Sequence, residues 1–246
     1  MGEFLITRRR LLFAAGSGVV GITVLNTITG CSSSAAPETA PASPASPAPV
    51  PAEWKRVNLS FVSSYLLVRG GEVAIVDLGL PGSELSIEAG LKAAGSGWKS
   101  VRHVIMTHLH DDHVGGLGEV QPHVSATFYA GTADAGSIRS DKPIKPVQDG
   151  DEVFGLRVIG TPGHTMGHIS IYDPSTKVLV AGDALRNAGG LVGSDPPNTA
   201  DPLEAAASVR KLATLDVATI LPGHGDPVTT GAADELRKLA ASLPTG

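Results

Sequence analysis

From position 53 onward, the chain consists of short apolar runs separated by breaks that are rich in Gly, Pro and Asp. Short runs enriched in Val, Ile, Leu and aromatic residues and bounded by turn formers predict buried β-strands. We predict strands over residues 64–68, 73–76, 101–106, 127–130, 153–159, 169–172 and 178–181, and the stretch 58–79 leaves open a third strand beside the first two. The adjacent glycines Gly70 and Gly71 predict a turn between the first two of these strands.

Three further segments carry apolar residues at the three- or four-residue spacing of a helix. The first covers residues 83–94, with Ser83 as a candidate cap. The second, 203–215, follows Asp201 and Pro202 in the cap and first-turn arrangement, and the third covers 232–243. Because helices and strands interleave in both halves of the segment, the pattern predicts an α/β (or α+β) protein with layered sheets.

Residues 1–31 have the pattern of an export signal. Arginines in "TRRRLLF" precede an apolar segment, residues 11–30. The end of this segment and the residue after it read Ile28, Thr29, Gly30 and Cys31. This pattern resembles a twin-arginine signal ending in a bacterial lipobox. The resemblance implies that Cys31 is lipidated and tethers an exported protein to the lipid membrane, on the outer face of the cytoplasmic membrane. The alternative is an uncleaved membrane helix, since about 20 apolar residues can span a bilayer.

The next segment, residues 32–52, reads "SSSAAPETAPASPASPAPVPA". Its high proline content and its lack of large apolar residues exclude a stable helix or a central strand. We interpret it as a linker between the signal and one domain, residues 53–246.

The charge balance of the chain narrows the choice of partners. The 246 residues include 24 acidic and 19 basic side chains, a formal net charge of −5, and the domain has no basic cluster. Nucleic acid is therefore a poor candidate, and a small-molecule substrate is the better expectation. The single cysteine, Cys31, excludes a disulfide within the chain.

The densest group of chemically active side chains is "THLHDDHVGG", residues 107–116, directly after the strand predicted at 101–106. Alternate residues of an extended chain face the same side, so His108, His110 and Asp112 would point one way and Asp111 the other. His113 follows at the bend. Imidazoles and carboxylates are the usual ligands of zinc and similar divalent ions. The cluster therefore predicts a metal site, with room for two ions if the ligands diverge at the bend.

The order His-x-His-x-Asp-His at the end of a strand resembles the signature of the metallo-β-lactamase fold superfamily. Four further segments match in order, so that the resemblance covers roughly residues 58–243. They contain Asp77 in "IVDLG", His164 in "TPGHTMGH", Asp183 in "VAGDAL" and His224 in "ILPGHGDP". Five segments in order are far more specific than one short motif. The resemblance implies a four-layer αββα sandwich.

It also implies two divalent metal ions, which we expect to be Zn²⁺. The first would be held by His108, His110 and His164, and the second by Asp112, His113 and His224. Asp183 and a hydroxide would bridge the two ions. Two cations bring the pKa of bound water towards about 7 and polarise the substrate oxygen, which is the chemistry of metal-dependent hydrolysis. Asp112 would also be catalytic, orienting the hydroxide and carrying a proton to the leaving group.

The sequence also gives expectations for five other residues. Asp77, by the resemblance, and His168 would hold ligands in place by hydrogen bonds without binding metal. We expect His103, within a strand, and His123, in a polar loop, to be non-catalytic. Arg186 has two interpretations that the sequence leaves open: it recognises a substrate carboxylate or another anion, or it is a solvated loop arginine.

The substrate is less well defined than the metal site, because the superfamily acts on lactams, lactones, thioesters and phosphodiesters. Only residues 225–246 follow His224, which disfavours the helical glutathione-binding domain of glyoxalase II-like thioesterases and a flavodoxin-like extension. Zinc β-lactamases typically carry cysteine or serine where this chain has Asp183. Many lactonases carry a tyrosine soon after that aspartate, where this chain has Arg186. We therefore predict hydrolysis of a small ester-like, lactone or thioester compound.

Three alternatives remain at the level of sequence. A β-lactam hydrolase would suit the exported location. A mononuclear iron enzyme similar to persulfide dioxygenases would use a subset of the ligands, and a non-catalytic metal-binding lipoprotein would need none of the chemistry. The full set of seven ligands favours the dinuclear hydrolase over the last two.

Overall fold

The computed structural model describes residues 51–245. The predicted signal, Cys31 and all but the end of the predicted linker lie outside this range. Within the described range, none of the helices is both long enough and apolar enough to cross a membrane.

The first sheet has six strands in the order in which they occur along the chain. They are β1 (Ala52–Leu59), β2 (Val62–Arg69), β3 (Glu72–Val76), β4 (Val101–Met106), β5 (Thr127–Gly131) and β6 (Ile144–Val147). The first three pair antiparallel through tight turns, and β3 to β6 pair parallel. Parallel pairing requires crossover connections, and these connections carry the helices of this half.

The second sheet has the order β11-β10-β9-β8-β7, with β12 paired to the other side of β10. Its strands are β7 (Glu152–Val153), β8 (Leu156–Gly160), β9 (Ile169–Asp173), β10 (Val178–Asn187), β11 (Leu191–Gly193) and β12 (Thr219–His224). The long strand β10 is central: it pairs antiparallel with β9 and β11 and parallel with β12.

In the described part of the chain, three helices have ten or eleven residues, and three are single turns. They are α1 (Glu84–Ala93), α2 (Asp111–Val114), α3 (Leu117–Val120), α4 (Thr132–Ala135), α5 (Pro202–Leu212) and α6 (Ala232–Ser242). The start of α5 is as predicted: the Asp201 carboxylate accepts hydrogen bonds from the backbone N–H groups of Leu203 and Glu204, both at 3.0 Å. The Ser83 side chain makes no capping hydrogen bond to α1, although Ser83 occupies the N-cap position.

Three clusters of buried apolar side chains separate four layers. One lies between the first sheet and α1, one between the two sheets, and one between the second sheet and helices α5 and α6. Adjacent residues of β2 show the arrangement, because Leu66 belongs to the first cluster and Leu67 to the second. Both faces of each sheet are therefore covered, which explains why β2 is buried at six consecutive positions. The predicted αββα sandwich is confirmed.

The structure corrects one strand prediction and adds four strands for which no bounds were predicted. Residues 153–159 do not form one strand. Phe154 and Gly155 adopt positive φ angles of 56° and 72° and close a hairpin between the end of β7 and the start of β8. The four added strands are β1, β6, β11 and β12. Each lies at one side of a sheet, and their sequences are charged or contain Pro or Gly, so they lack the continuous apolar run of a central strand.

Candidate metal centre

The site opens where β4 ends at Met106. His108 and His110 lie in the segment that follows, and the N-cap position of α2 falls on His110. Asp112 and His113 then lie on the single turn of α2, so Asp112 reaches the site from a helical turn. The expected extended alternation through Asp112 is therefore wrong. Asp111 is exposed and Asp112 is half-buried, and of the two it is Asp112 whose carboxylate belongs to a group of candidate ligand atoms.

The other candidate ligands come from the second half of the chain. His164 lies in the loop between β8 and β9, Asp183 lies within β10, and His224 is the last residue of β12. The parallel pairing of β10 with β12 shifts register on both sides of Asp183, between Val180 and Gly182 and again before Arg186. Such irregularities redirect side chains, and this one directs Asp183 toward the histidines.

Three imidazoles converge in the first part of the site. The distance from His108 Nε2 to His110 Nδ1 is 3.1 Å, and that from His164 Nε2 to the same Nδ1 atom is 3.0 Å. Three nitrogens around a tetrahedral zinc ion, each about 2.0–2.1 Å from it, are separated by roughly 3.4 Å. The three nitrogens are thus close to the spacing that one ion requires.

Asp183 links this group to the second part of the site. Its Oδ2 atom is 3.5 Å from His164 Nε2 and 3.1 Å from His224 Nε2, and its Oδ1 atom is 3.2 Å from His113 Nε2. Asp112 Oδ2 lies 3.3 Å from His224 Nε2. Asp112, His113 and His224 therefore form a second group of ligand atoms, with Asp183 between the two groups.

Two buried atoms support a metal ion as the missing partner. His113 Nε2 and Asp183 Oδ1 face each other, yet neither makes a hydrogen bond with the described residues. Leaving buried polar atoms without a partner costs free energy, and a cation between them removes that cost. The donor set, five histidines and two aspartates, is the chemistry that zinc and iron accept. The residues fit two divalent ions.

The electrostatics of the first group favour neutral imidazoles with a free lone pair. Burial lowers the pKa of His164 to about 4 and holds the pKa of His108 well below its usual value. Both rings are uncharged at neutral pH. They can therefore donate a lone pair to a cation without first losing a proton.

The second group is dominated by the carboxylates. Burial alone would lower the pKa of His113, but Asp77 and Asp183 raise it well above its usual value. Burial would also lower the pKa of His224, but hydrogen bonds with Asp112 and Asp183 raise this pKa to about 10. Burial would raise the pKa of Asp183, yet His113 holds it well below its usual value. These carboxylates therefore attract positive charge, which a divalent cation supplies when it binds.

Asp77 fixes the start of the histidine segment. Its carboxylate accepts hydrogen bonds from the Thr107 backbone N–H at 2.7 Å and the Thr107 hydroxyl at 2.8 Å. The same carboxylate is 2.8 Å from His113 Nδ1 and accepts that N–H. His113 thus presents Nε2 to the site, which is the arrangement of a carboxylate behind a metal-binding histidine.

His168 lies behind Asp183 and does not belong to either ligand group. Its Nε2 accepts the backbone N–H of Asp183 at 3.0 Å, so the neutral ring donates from Nδ1 to the Thr161 hydroxyl at 2.8 Å. Burial lowers the pKa of His168 to about 3, which keeps the ring neutral. His168 therefore holds the backbone of the candidate ligand Asp183 in place.

Asp134 was not expected from the sequence. This carboxylate is 1% exposed and accepts hydrogen bonds from the Leu109 N–H at 3.1 Å, the Thr165 hydroxyl at 2.6 Å and the Gly167 N–H at 2.9 Å. It ties the segment between His108 and His110 to the loop that carries His164. No local signal marks it, because "TADAG" resembles any polar helix turn.

Phe61 was also not expected. The His224 Nδ1–H donates to the Phe61 carbonyl at 2.8 Å, and the two rings stack with centroids 5.8 Å apart. The Phe61 side chain is 55% exposed and lies at the turn between β1 and β2, beside the metal ligands. An exposed aromatic ring in this position offers an apolar surface to a bound molecule.

Five of the seven candidate ligands line a cavity of about 490 Å³, namely His110, Asp112, His164, Asp183 and His224. Its wall also includes Arg186, which the pairing of β10 with β12 places opposite His224. The Arg186 guanidinium forms a salt bridge of 2.8 Å with Asp195, so its charge is already paired within the chain. His103 and His123 lie elsewhere: His103 packs against Tyr129 and Phe154, and His123 stacks on Trp98.

Comparison with known proteins identifies the class of protein. The family model described as "Metallo-beta-lactamase superfamily" matches residues 57–224, more than half of the chain. The chain belongs to the metallo-β-lactamase superfamily, whose members bind metal ions and include metal-dependent hydrolases.

Three relatives illustrate the range of similarity. Protein YobT of Bacillus subtilis (strain 168) is 30% identical over 184 residues, which cover 65% of this chain and 77% of YobT. Metallo-beta-lactamase domain-containing protein 1 of Xenopus laevis is 37% identical over 176 residues, or 67% of this chain and 71% of the relative. A hydroxyacylglutathione hydrolase of Fuscovulum blasticum is 34% identical over 137 residues, or 53% of this chain, and the match spans about half (51%) of that enzyme.

Solved structures show the same fold. The metallo-beta-lactamase family protein TTHA1429 of Thermus thermophilus has a TM-score of 0.61 and 25% identity, covering 76% of this chain and 78% of the other. TTHA1623, solved in a di-iron-bound form, has a TM-score of 0.56 and 27% identity, covering 74% and 93%. BLEG-1, a B3 metallo-beta-lactamase, has a TM-score of 0.65, but its 23% identity over 76% and 99% of the chains shows the fold alone.

The two neighbouring aspartates give a matched test of the ligand assignment. We predict that Asp112→Ala lowers the affinity for added zinc at the group of Asp112, His113 and His224 by at least about 100-fold, because losing a direct ligand costs more than losing a residue that only orients one. Asp111→Ala should bind zinc as the wild type does, because Asp111 is exposed and belongs to no ligand group. Zinc titration calorimetry on both variants measures the difference. The reverse order of effects would show that the ligand is Asp111.

Asp134 can be tested by an isosteric change. We predict that Asp134→Asn lowers zinc affinity by about 10–100-fold, because the new amide N–H₂ would face a backbone N–H that now donates to the carboxylate. Competition with a chromogenic chelator measures the affinity. Asp141→Asn removes a charge from an exposed position nearby and is the control. Equal affinities of both variants would show that Asp134 does not position the ligands.

Proposed function

We propose that this protein is a dinuclear metal-dependent hydrolase that cleaves a small ester-like, lactone or thioester compound. One observation carries the proposal: seven side chains with metal-binding chemistry converge, with Asp183 between two groups of three, and five of the seven line an open cavity. A cavity that exposes ligand atoms leaves room for a substrate beside the ions, as catalytic metal sites require.

The chain's own residues have definite tasks in this proposal. Two divalent cations, when bound, supply an acidified water molecule and polarise the substrate's oxygen. Burial would raise the pKa of Asp112, but its hydrogen bond with His224 lowers it, so the carboxylate is ionised at neutral pH. A half-buried carboxylate that lines the cavity can accept the proton of the nucleophile and return it to the leaving group. His168, Asp77 and Asp134 hold the ligand segments in register.

Two observations support the substrate class. Relatives named hydroxyacylglutathione hydrolases match the domain, including one of Ectopseudomonas mendocina (strain ymp) at 37% identity over 122 residues, 43% of that enzyme. Zinc β-lactamases typically have cysteine or serine at the position of Asp183, so a β-lactam is the less favoured substrate. We propose zinc as the metal in both groups.

The hydrolase proposal predicts that the purified protein cleaves at least one member of a panel of lactones, thioesters and aryl esters. His110→Ala should lower the rate by at least about 100-fold, because His110 Nδ1 is the common neighbour of His108 and His164. His123→Ala, which changes a histidine outside the cavity, should leave the rate unchanged. Activity that survives both His110→Ala and a chelator would exclude the mechanism.

The metal content of the same preparation separates the alternatives. About two zinc ions per chain would support the proposal, and two iron ions would support a dinuclear hydrolase with a different metal. One iron ion per chain, with no hydrolysis, would favour the persulfide dioxygenase-like alternative. A cephalosporin in the panel tests the β-lactam alternative, and a metal-loaded protein without activity on any substrate would favour the binding lipoprotein.

We further propose that the domain is exported and held at the outer face of the cytoplasmic membrane by a lipidated Cys31. The support is the order of three sequence features: paired arginines, an apolar segment and a lipobox-like end. Mass spectrometry of the mature protein from a bacterial membrane fraction should find a diacylglyceryl-modified Cys31 at the N-terminus. Cys31→Ala should release the protein from the membrane fraction. An intact Met1 would contradict the proposal.

A further inference from the structure

A second cavity, of about 570 Å³, lies next to the metal cavity. It lies between β11, α5 and the C-terminal end of α6, and its wall is largely aliphatic. The residues that define its character are Val192, Ala206, Val209, Leu239 and Leu243. Among the described residues of the wall, Arg186 is the one with a charged side chain. A cavity of this size and composition accommodates an apolar group of a small ligand.

The two cavities share a wall. Arg186 lines both of them, and the segment that follows β11 does so as well: Asp195 faces the metal cavity, while its neighbours Ser194 and Pro196 face the apolar one. The salt bridge between Arg186 and Asp195, with an N–O distance of 2.8 Å, lies at this boundary. A ligand bound at the metal centre is therefore next to the apolar cavity.

The salt bridge of Arg186 with Asp195 affects which part of a ligand can pass from the metal cavity to the apolar cavity. A carboxylate would have to compete with Asp195 for the guanidinium. The methylene stem of an arginine, by contrast, provides apolar surface to a neighbouring chain. The boundary therefore suits an uncharged aliphatic chain better than an anionic group.

We infer that the apolar cavity binds the aliphatic chain of an acyl substrate whose carbonyl lies at the metal centre. This inference rests on the proposed hydrolase function and makes it more specific: the preferred substrates are esters or thioesters with a medium-length acyl chain, and acetyl compounds are poor substrates. The cavity acts through the Michaelis constant, because the chain is bound away from the reacting carbonyl.

The experiment compares p-nitrophenyl acetate, butyrate and octanoate on the zinc-loaded protein. In the wild type, KM should fall by about three- to fourfold for each methylene that becomes buried. Val192→Trp and Ala206→Leu fill the cavity from two different elements, and each should raise KM for octanoate by at least about tenfold. Hydrolysis of the acetate should change by less than about twofold.

Leu203→Trp is the matched control. Leu203 is 54% exposed on α5 and does not line the cavity, so this variant adds the same bulky side chain without blocking the chain. A chain-length preference that is absent from the wild type would overturn the inference. A chain-length preference that survives both Val192→Trp and Ala206→Leu would also overturn the inference. If Phe61→Ala abolished that preference instead, the acyl chain would bind at the turn between β1 and β2.

A binding measurement separates this inference from the proposed function. Calorimetry with octanoate and with acetate, on the zinc-loaded protein, compares two carboxylates that differ only in their chains. In the wild type and in Leu203→Trp, octanoate should bind at least about tenfold more tightly than acetate. In Val192→Trp this difference should be lost. If no ester is hydrolysed, the proposed function fails, and this comparison still decides whether the cavity holds an acyl chain. Equal binding of octanoate and acetate would overturn the inference.

Discussion

The buried carboxylate of Asp183 is the constraint on which the rest of the site depends. It is 5% exposed and has imidazole nitrogens from three other chain segments within 3.5 Å. A buried anion is tolerated only with positive partners and hydrogen bonds around it. The irregular pairing of β10 gives this side chain its direction, and the hydrogen bond from its backbone N–H to His168 fixes the backbone there. Losing Asp183 would leave the histidines without their common neighbour.

The four-layer sandwich makes this convergence possible. Its ligand segments follow β4 and β8 or lie on β10 and β12, so rigid sheets from both halves of the chain carry them. Three apolar clusters hold the layers in place, and buried carboxylates join the segments locally. Asp77 joins the start of the histidine segment to His113, and Asp134 joins that segment to the loop of His164. Such supports hold ligand geometry without themselves binding the metal.

The polar centre and the apolar cavity beside it have complementary chemistry. Hydrolysis needs charged groups that act on one carbonyl, whereas binding energy for an uncharged substrate comes mainly from buried apolar area. The salt bridge between Arg186 and Asp195 lies where the two environments meet. Because this arginine is paired within the chain and lines both cavities, the prediction that it recognises a substrate anion has weaker support than a role in shaping the boundary that an uncharged chain would cross.

The sequence by itself determined the class of fold, most central strands, the three longer helices and the identity of the candidate ligands. Apolar periodicity and side-chain chemistry are local properties that the sequence shows directly. The five motif segments also occur in the same order as in the family signature, so the sequence alone identifies the candidate ligands. Only the tertiary structure decided that Asp112 points inward from a helical turn, that residues 153–159 fold into a hairpin, and that Asp134 is buried between two ligand loops. It also decided that Phe61 and the apolar cavity flank the metal ligands. These features depend on contacts between residues far apart in the chain, which create burial and enclosure that no local pattern records.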